Sequence, residues 1–149
     1  MQAPLLARAR LWWRQLRRGR MPEDKAVGFL GEDAAARFLR RQGYAVLARN
    51  VEAPMGEADL VCRAPDERTM VIVEVKTRLV AAAERAGDPE RYLPEDAVGW
   101  AKRKKLAAIA AHLKRLNRWG RRPVRIDVVA IEWPPTGAPI VRHWVDAVK

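Results

Sequence analysis

The 149-residue sequence has a single cysteine, Cys62, which excludes an intramolecular disulfide and any multi-cysteine metal site. Histidine is nearly as scarce. His112 and His143 stand alone, with no HExxH pair and no Ser-His-Asp order to support nucleophilic catalysis, and no Walker-type glycine loop is present. No run of about 18 apolar residues occurs, so a transmembrane helix is not expected. Internal repeats and low-complexity tracts are missing as well, apart from short alanine-rich patches. Acid is absent from two long stretches. Residues 1–20 hold six arginines without an acid, and Gly99 to Ile126 hold ten basic residues without one.

The excess that remains is positive. Twenty-nine Lys and Arg against 18 Asp and Glu give a formal charge of +11 and a pI near 10.8. Such a surface favours a polyanion, nucleic acid first, with an anionic membrane surface as the rival. The lone cysteine suits a reducing cytoplasm. The length is that of one core, built on one sheet and a few helices.

Residues 1–22 are compositionally separate from 23–149. They read as a flexible basic arm, as an amphipathic helix lying on a membrane or on nucleic acid, or as an extension upstream of a start at Met21. From Glu23 to Gln42 the apolar residues Leu30, Ala34, Ala35, Phe38 and Leu39 recur at helical spacing, and Gly43 stops the helix. Glu32 falls beside that stripe, and Gly28 and Gly31 leave room for another element to approach. Taken alone, Glu32 is an ordinary early-helix glutamate favoured by the macrodipole. Tyr44 to Val51 forms a first strand, and Val80 to Pro94 a mobile loop. A second helix runs from Glu95 to Trp119, with strands over Val124–Ile131 and Ile140–Val145 flanking a Pro134-Pro135-Thr136-Gly137 turn. Trp100, Trp133 and Trp144 serve as core or edge anchors, with base stacking by one of them as the alternative. The order α-β-β-β-α-β-β gives an α/β or α+β domain, with helices packed on a mixed sheet.

The stretch Gly56 to Arg78 carries the chemistry. If Pro65-Asp66-Glu67-Arg68 is a four-residue hairpin turn, Ala64 pairs with Thr69. Counting back, Cys62 faces Val71, Leu60 faces Val73 and Ala58 faces Val75, an apolar side for a core. On the other side Arg63 faces Met70, Val61 faces Ile72, Asp59 faces Glu74 and Glu57 faces Lys76. Two carboxylates opposed across a ladder repel, so a positive group should sit between them. A divalent cation would do this, and Asp59, Glu74 and Glu32 are hard oxygen ligands of the kind Mg²⁺ or Mn²⁺ takes. Lys76 projects from the same face, where it could orient a water or neutralise a phosphate. The structural alternative pairs Lys76 with Glu57 and Glu74 in a surface ladder worth roughly 0–1 kcal/mol. The basic second helix is read as a phosphate-contacting surface through Lys102, Arg103 and Lys105, with Arg121 and Arg122 beyond it and Arg78 at the end of the hairpin as further nucleic-acid contacts.

Gly56-Glu57-Ala58-Asp59-Leu60 and Glu74-Val75-Lys76-Thr77-Arg78 resemble the D…ExK signature of the PD-(D/E)XK nuclease superfamily. Together with Gly28, Gly31-Glu32, Gly43-Tyr44, Arg49-Asn50, Ala97-Val98, Lys102 and Arg125-Ile126-Asp127-Val128, they resemble the YraN family of small bacterial proteins, which is similar to archaeal Holliday-junction resolvases. The resemblance covers roughly Gly28 to the C-terminus. It implies an α/β restriction-endonuclease-like core with a five-stranded mixed sheet, occupying residues 23–149. It implies further that Asp59 and Glu74 bind the metal, that Lys76 is the catalytic lysine, that Glu32 is the acid from the first helix, and that Glu57, Thr77 and Arg78 flank the site. The expected function is a Mg²⁺- or Mn²⁺-dependent endonuclease acting on DNA, branched or otherwise structured. A homodimer is implied too, since resolution needs two scissions. The alternative is a non-cleaving nucleic-acid-binding protein on the same scaffold, and a third reading, a membrane-surface or protein-interaction adaptor, rests on the arm alone.

Overall fold

Val71, Ile72, Val73 and Val75 on one strand, and Ile126, Val128, Val129, Ala130 and Ile131 on another, form near-continuous apolar runs of the kind that strands covered on both faces require. The computed structural model describes residues 23–79, 98–134 and 138–149, and in it these two runs are neighbouring parallel strands at the middle of a sheet. The elements are α1 (Glu23–Arg41), β1 (Ala45–Ala53), β2 (Gly56–Arg63), β3 (Met70–Leu79), α2 (Trp100–Leu116), β4 (Val124–Trp133) and β5 (Ile140–Trp144). The five strands lie in sequence order. Only the β3–β4 pair is parallel, and α2 lies on the crossover that parallel pairing demands. The expected α/β class and α-β-β-β-α-β-β order are what the chain adopts. The arm over 1–22, the loop over Val80–Pro94, the expected helix start at Glu95 and the turn at Pro135-Thr136-Gly137 lie outside the described residues.

The helices cover opposite faces of the sheet. Ala35 and Leu39 of α1 pack with Leu60, Cys62, Val71, Val73, Val129 and Ile131. Leu106, Ile109 and Leu113 of α2 pack with Val61, Met70, Ile72, Ile126 and Val128. Burying each such side chain removes about 1.5–3 kcal/mol of unfavourable hydration, so the sheet is the centre of a three-layer sandwich. Helix α2 begins later than its periodicity suggests: Val98, already buried, and the extended Gly99 precede it. Trp100 is not a core anchor, because 71% of it is exposed.

The β2–β3 hairpin has the expected register, with Leu60 opposite Val73, Val61 opposite Ile72, Cys62 opposite Val71 and Arg63 opposite Met70. Its turn is closed by Ala64 N–H donating to Thr69 O at 2.9 Å. Asp66 ties it down, its carboxylate accepting from Arg68 N (2.9 Å), Thr69 N (2.8 Å) and Thr69 Oγ1 (2.6 Å). These bonds, the Thr69 hydroxyl foremost, lower its pKa to about 2.

Ala58 departs from the apolar side expected for it. Ala58 packs with the α2-side cluster and with its β1 partner Val51, not with Leu60 and Cys62. Facing therefore slips by one between Leu60 and Ala58. The slip coincides with Asn50, which takes a left-handed φ of 48° in β1, an uncommon conformation for a residue with a Cβ.

Candidate active site

Asp59 sits at that slip. The β2–β3 register runs only from Leu60 to Arg63, so Asp59 and Glu74 are not ladder partners as the pairing arithmetic suggested. Asp59 Oδ2 instead accepts the Val75 backbone N–H at 2.7 Å. A carboxylate thus takes the position of a backbone acceptor where the two strands stop pairing, and it is held against β3 one residue beyond Glu74.

Glu74 is almost wholly buried, at 3% exposure. Its Oε1 is shared by Lys76 Nζ and Lys102 Nζ, each at 3.1 Å. Lys76 comes from the next turn of the pleat in β3 and Lys102 from the first turns of α2, so the two ammonium groups converge from two elements. Glu74 Oε2 is buried and has no hydrogen-bond partner. A bare carboxylate oxygen away from water is costly, and such an atom needs a cation or a donor.

Glu32 arrives from α1 through a close helix–sheet approach. A Cβ on Gly31 would overlap the Thr77 Oγ1 and Cβ of β3, so only glycine permits this spacing. Gly28, by contrast, has nothing within 4 Å of a Cβ and plays no such part. Asn50 then fixes Glu32: its Nδ2 donates to Glu32 Oε2 at 3.0 Å and to Glu57 Oε1 at 3.2 Å. The neighbouring Arg49 pairs with Asp33 of the same helix. Asn50 is a site residue that residue chemistry alone does not reveal, since its role depends on the left-handed turn it makes in β1.

The electrostatics follow from burial among like charges. The Asp59 pKa is pushed up to about 7, first by burial and then by the charge of Glu74, while the Val75 N–H opposes the rise. Glu32 is also raised, by burial above all, with the Asn50 hydrogen bond opposing and Glu57 adding to it. Two carboxyls held away from their ordinary ionisation beside a buried third are a pattern that active sites share.

The residues fit a divalent cation through two acids. Glu74 Oε2 is unpartnered, and Asp59 would regain an ordinary carboxylate pKa beside a positive charge. Mg²⁺ characteristically takes one or two protein carboxylates and fills its remaining positions with water and phosphate. Among the described residues no three His, Cys, Asp or Glu side chains stand together as a metal cage. The structure therefore does not gather Glu32 with Asp59 and Glu74 into one ligand set as it stands. Glu32 occupies the α1 side, at its Asn50 contact.

The predicted phosphate-contacting residues divide. Lys102 is at the acidic centre. Arg103 turns back to Val98 O, which its Nε reaches at 3.0 Å, and Lys105 is exposed on α2. Arg78 is half-buried near the end of β3, across from Glu132. Arg121 and Arg122 lie at the opposite end of the sheet, where Arg122 Nη1 approaches Glu67 O in the hairpin turn at 3.4 Å. The parallel register sets Val124 beside Met70, six residues before Lys76, or roughly 20 Å at strand rise. These two arginines cannot share a phosphate with Lys76.

A second polar cluster lies under α1. Asp127, with no exposure, accepts from Arg125 Nε (2.9 Å), Arg125 Nη2 (3.2 Å) and Asp146 N (3.0 Å), and its Oδ2 lies 2.9 Å from His143 Nε2. Arg125 also donates to the Tyr44 hydroxyl at 2.6 Å, and the Phe38 and Tyr44 rings meet the His143 ring edge-on. With every Asp127 contact turned inward, this cluster ties β4 to β5 and the start of β1.

Comparison with known proteins accords with the motifs. Residues 31–131 match the model of the uncharacterised protein family UPF0102, a span that holds Glu32, Asp59, Glu74, Lys76 and Lys102. A UPF0102 protein of Pelobacter propionicus is 36% identical over 128 residues, covering 86% of each chain. One from Symbiobacterium thermophilum is 43% identical over 115 residues, covering 76% of this chain and 88% of its own. Another, from Beutenbergia cavernae, is 40% identical over 123 residues, covering 83% and 96%. On the family model and these relatives together, the chain belongs to the UPF0102, or YraN, family.

Proposed function

We propose that this protein is a Mg²⁺- or Mn²⁺-dependent endonuclease that hydrolyses phosphodiester bonds in DNA, with branched or otherwise structured DNA as its substrate. The observation that carries the reading is the pairing of a buried, half-orphaned Glu74 with an Asp59 carboxyl raised to about 7, with two lysines alongside. Asp59 and Glu74 Oε2 would hold the cation. When bound, it would polarise the phosphoryl oxygen and make hydroxide available near neutral pH. Asp59 must give up its proton to bind, so loading strengthens as pH rises through about 7. Glu74 Oε1 aims the Lys76 ammonium at the same space, where it can orient the attacking water or offset charge on the phosphate. Lys102 supplies a second positive group from α2. The basic surface brings the polyanion in, and the single cysteine, buried at Cys62 with its thiol pushed up to about 12 by burial and by Asp127, suits a cytoplasmic protein. Two such sites in a homodimer would cut both strands.

One observation favours a second reading, a non-cleaving DNA-binding protein. Lys76 and Lys102 both contact Glu74 Oε1, so the chain's own cations offset its charge. The deciding experiment incubates the protein with duplex, single-stranded, flap and four-way-junction DNA in Mg²⁺, in Mn²⁺ and in chelator, beside Asp59→Ala and Lys76→Ala. Metal-dependent cleavage lost in both variants is expected. Cleavage persisting equally in both would overturn the assigned site, and tight, salt-sensitive binding without cleavage would favour the second reading.

A further inference from the structure

Trp100 is the one aromatic residue among the large hydrophobic side chains that stand exposed in the described residues, and at 71% it is the most exposed of them. Single exposed apolar residues are ordinary on protein surfaces and carry no meaning by themselves. The position of this one is not ordinary. It is the first residue of α2, and two residues later, roughly 3 Å along the helix axis, Lys102 leaves the same turn to bond Glu74. One turn on, at the i+4 position where helical side chains meet, Lys104 Nζ lies 4.0 Å from the centroid of the Trp100 ring. The first turn of α2 has no acid. A flat apolar ring in water, a cation against it and a strongly basic helix therefore occupy the end of the sheet that holds the acidic centre. Leu79, 63% exposed, ends β3 at that same end.

A bare phosphate backbone needs lysines and has no use for an indole. A base does, because every nucleobase offers a π-face to an aromatic platform, whereas a base inside a duplex has its faces taken by its neighbours. We propose that Trp100 is a stacking platform for an unpaired nucleobase beside the phosphodiester held at Asp59, Glu74 and Lys76, with Lys104 contacting the adjoining phosphate. This deepens the nuclease reading and rests on it for the identity of the neighbouring phosphate. It assigns the substrate class: DNA with unpaired or splayed bases at the cut, in preference to continuous duplex.

The test measures binding of the full-length protein to fluorescently labelled oligonucleotides, in chelator and at fixed salt so that no turnover intervenes. A blunt duplex is compared with the same duplex carrying a single-stranded overhang, for the wild type, Trp100→Ala and Trp100→Phe, with matching urea midpoints confirming that the variants fold. Trp100→Ala should lose about 10-fold in affinity for the overhang DNA and leave duplex affinity unchanged, while Trp100→Phe stays within about 2-fold of wild type. An equal loss on both DNAs, no loss on either, no wild-type preference for the overhang, or Trp100→Phe behaving as Trp100→Ala would each overturn the proposal. So would a Trp100-dependent partition onto anionic vesicles with no base preference, which would assign the ring to a membrane surface. Cleavage assays separate the two readings: a stacking preference without metal-dependent cutting removes the nuclease and keeps the platform, and cutting that ignores Trp100 does the reverse.

Discussion

Replacing Asp59 by Asn should stabilise the protein while abolishing metal binding. The unfolded chain ionises this carboxyl near 3.8, and the folded protein holds the proton until about 7. Between those values the native state binds more protons than the unfolded state, so stability falls as pH rises, and the whole loss is present above about 7. The interval corresponds to on the order of 4 kcal/mol at about 1.4 kcal/mol per pH unit. Part of the carboxylate still meets solvent, which screens the repulsion from Glu74, so about half of that, ~2 kcal/mol, is the expected gain for Asp59→Asn at pH 8. At pH 5 the gain should shrink to below about 1 kcal/mol, since most of the wild-type carboxyls are then protonated. Asn keeps an oxygen for the Val75 N–H, so the contact across β2 and β3 survives the change. Urea melts in chelator at both pH values read the effect. Saturating Mg²⁺ at pH 8 should then stabilise the wild type and leave Asp59→Asn unmoved. A variant no more stable than wild type at pH 8, or a gain of equal size at pH 5, would refute the reasoning.

Gly31→Ala should cost about 1–3 kcal/mol, because its Cβ must displace Thr77, and it should lower cleavage by shifting Glu32. Gly28→Ala on the same helix meets nothing, and should be neutral or gain up to about 1 kcal/mol in the same urea melts. Asp127→Asn should cost about 3–5 kcal/mol, since it strips a buried carboxylate from Arg125 and His143. Burial pushes the Asp127 pKa up, but the hydrogen bonds from His143, Arg125 and the Asp146 N–H outweigh it and leave the pKa below 3.8. The wild type therefore loses this stability only as pH falls below about 3.8, and an acid titration of the variant should lack that limb.

The hairpin was legible because its determinants are local. Pro65, Asp66 and a four-residue spacing choose the turn, the turn fixes Ala64 against Thr69, and a period of two carries the register to Leu60 and Val73. Beyond Leu60 the count keeps working on paper and fails in space. Nothing in Asp59 or Glu74 announces that the strands stop pairing there. Across the β1–β2 ladder from Asp59, between the Arg49–Leu60 and Val51–Ala58 pairs, Asn50 is left-handed, a backbone state that the spacing of the acids does not reveal. The pairing count therefore sets Asp59 against Glu74 across a ladder, whereas in the fold Asp59 bonds the Val75 N–H and β2 and β3 pair only from Leu60 onward.

The basic residues show the same limit at longer range. Charge counting treats the ten cations from Lys102 to Arg125 as one surface. The parallel β3–β4 pair forces α2 to run from the C-terminal end of β3 back to the N-terminal end of β4, about 25 Å for 17 helical residues. That crossover delivers the first turn of α2, with Trp100 and Lys102, to the acidic centre, and carries Arg121 and Arg122 to the far hairpin. Topology, which follows from pairing a buried strand with another buried strand, thus decides which cations meet Glu74. The two lysines on Glu74 Oε1 follow from it: one lies two residues along the same strand, and the other stands where the crossover helix begins. On the proposed function, a phosphate entering between them would meet positive charge from the sheet on one side and from α2 on the other, and would be positioned more tightly than on a basic face of the same charge.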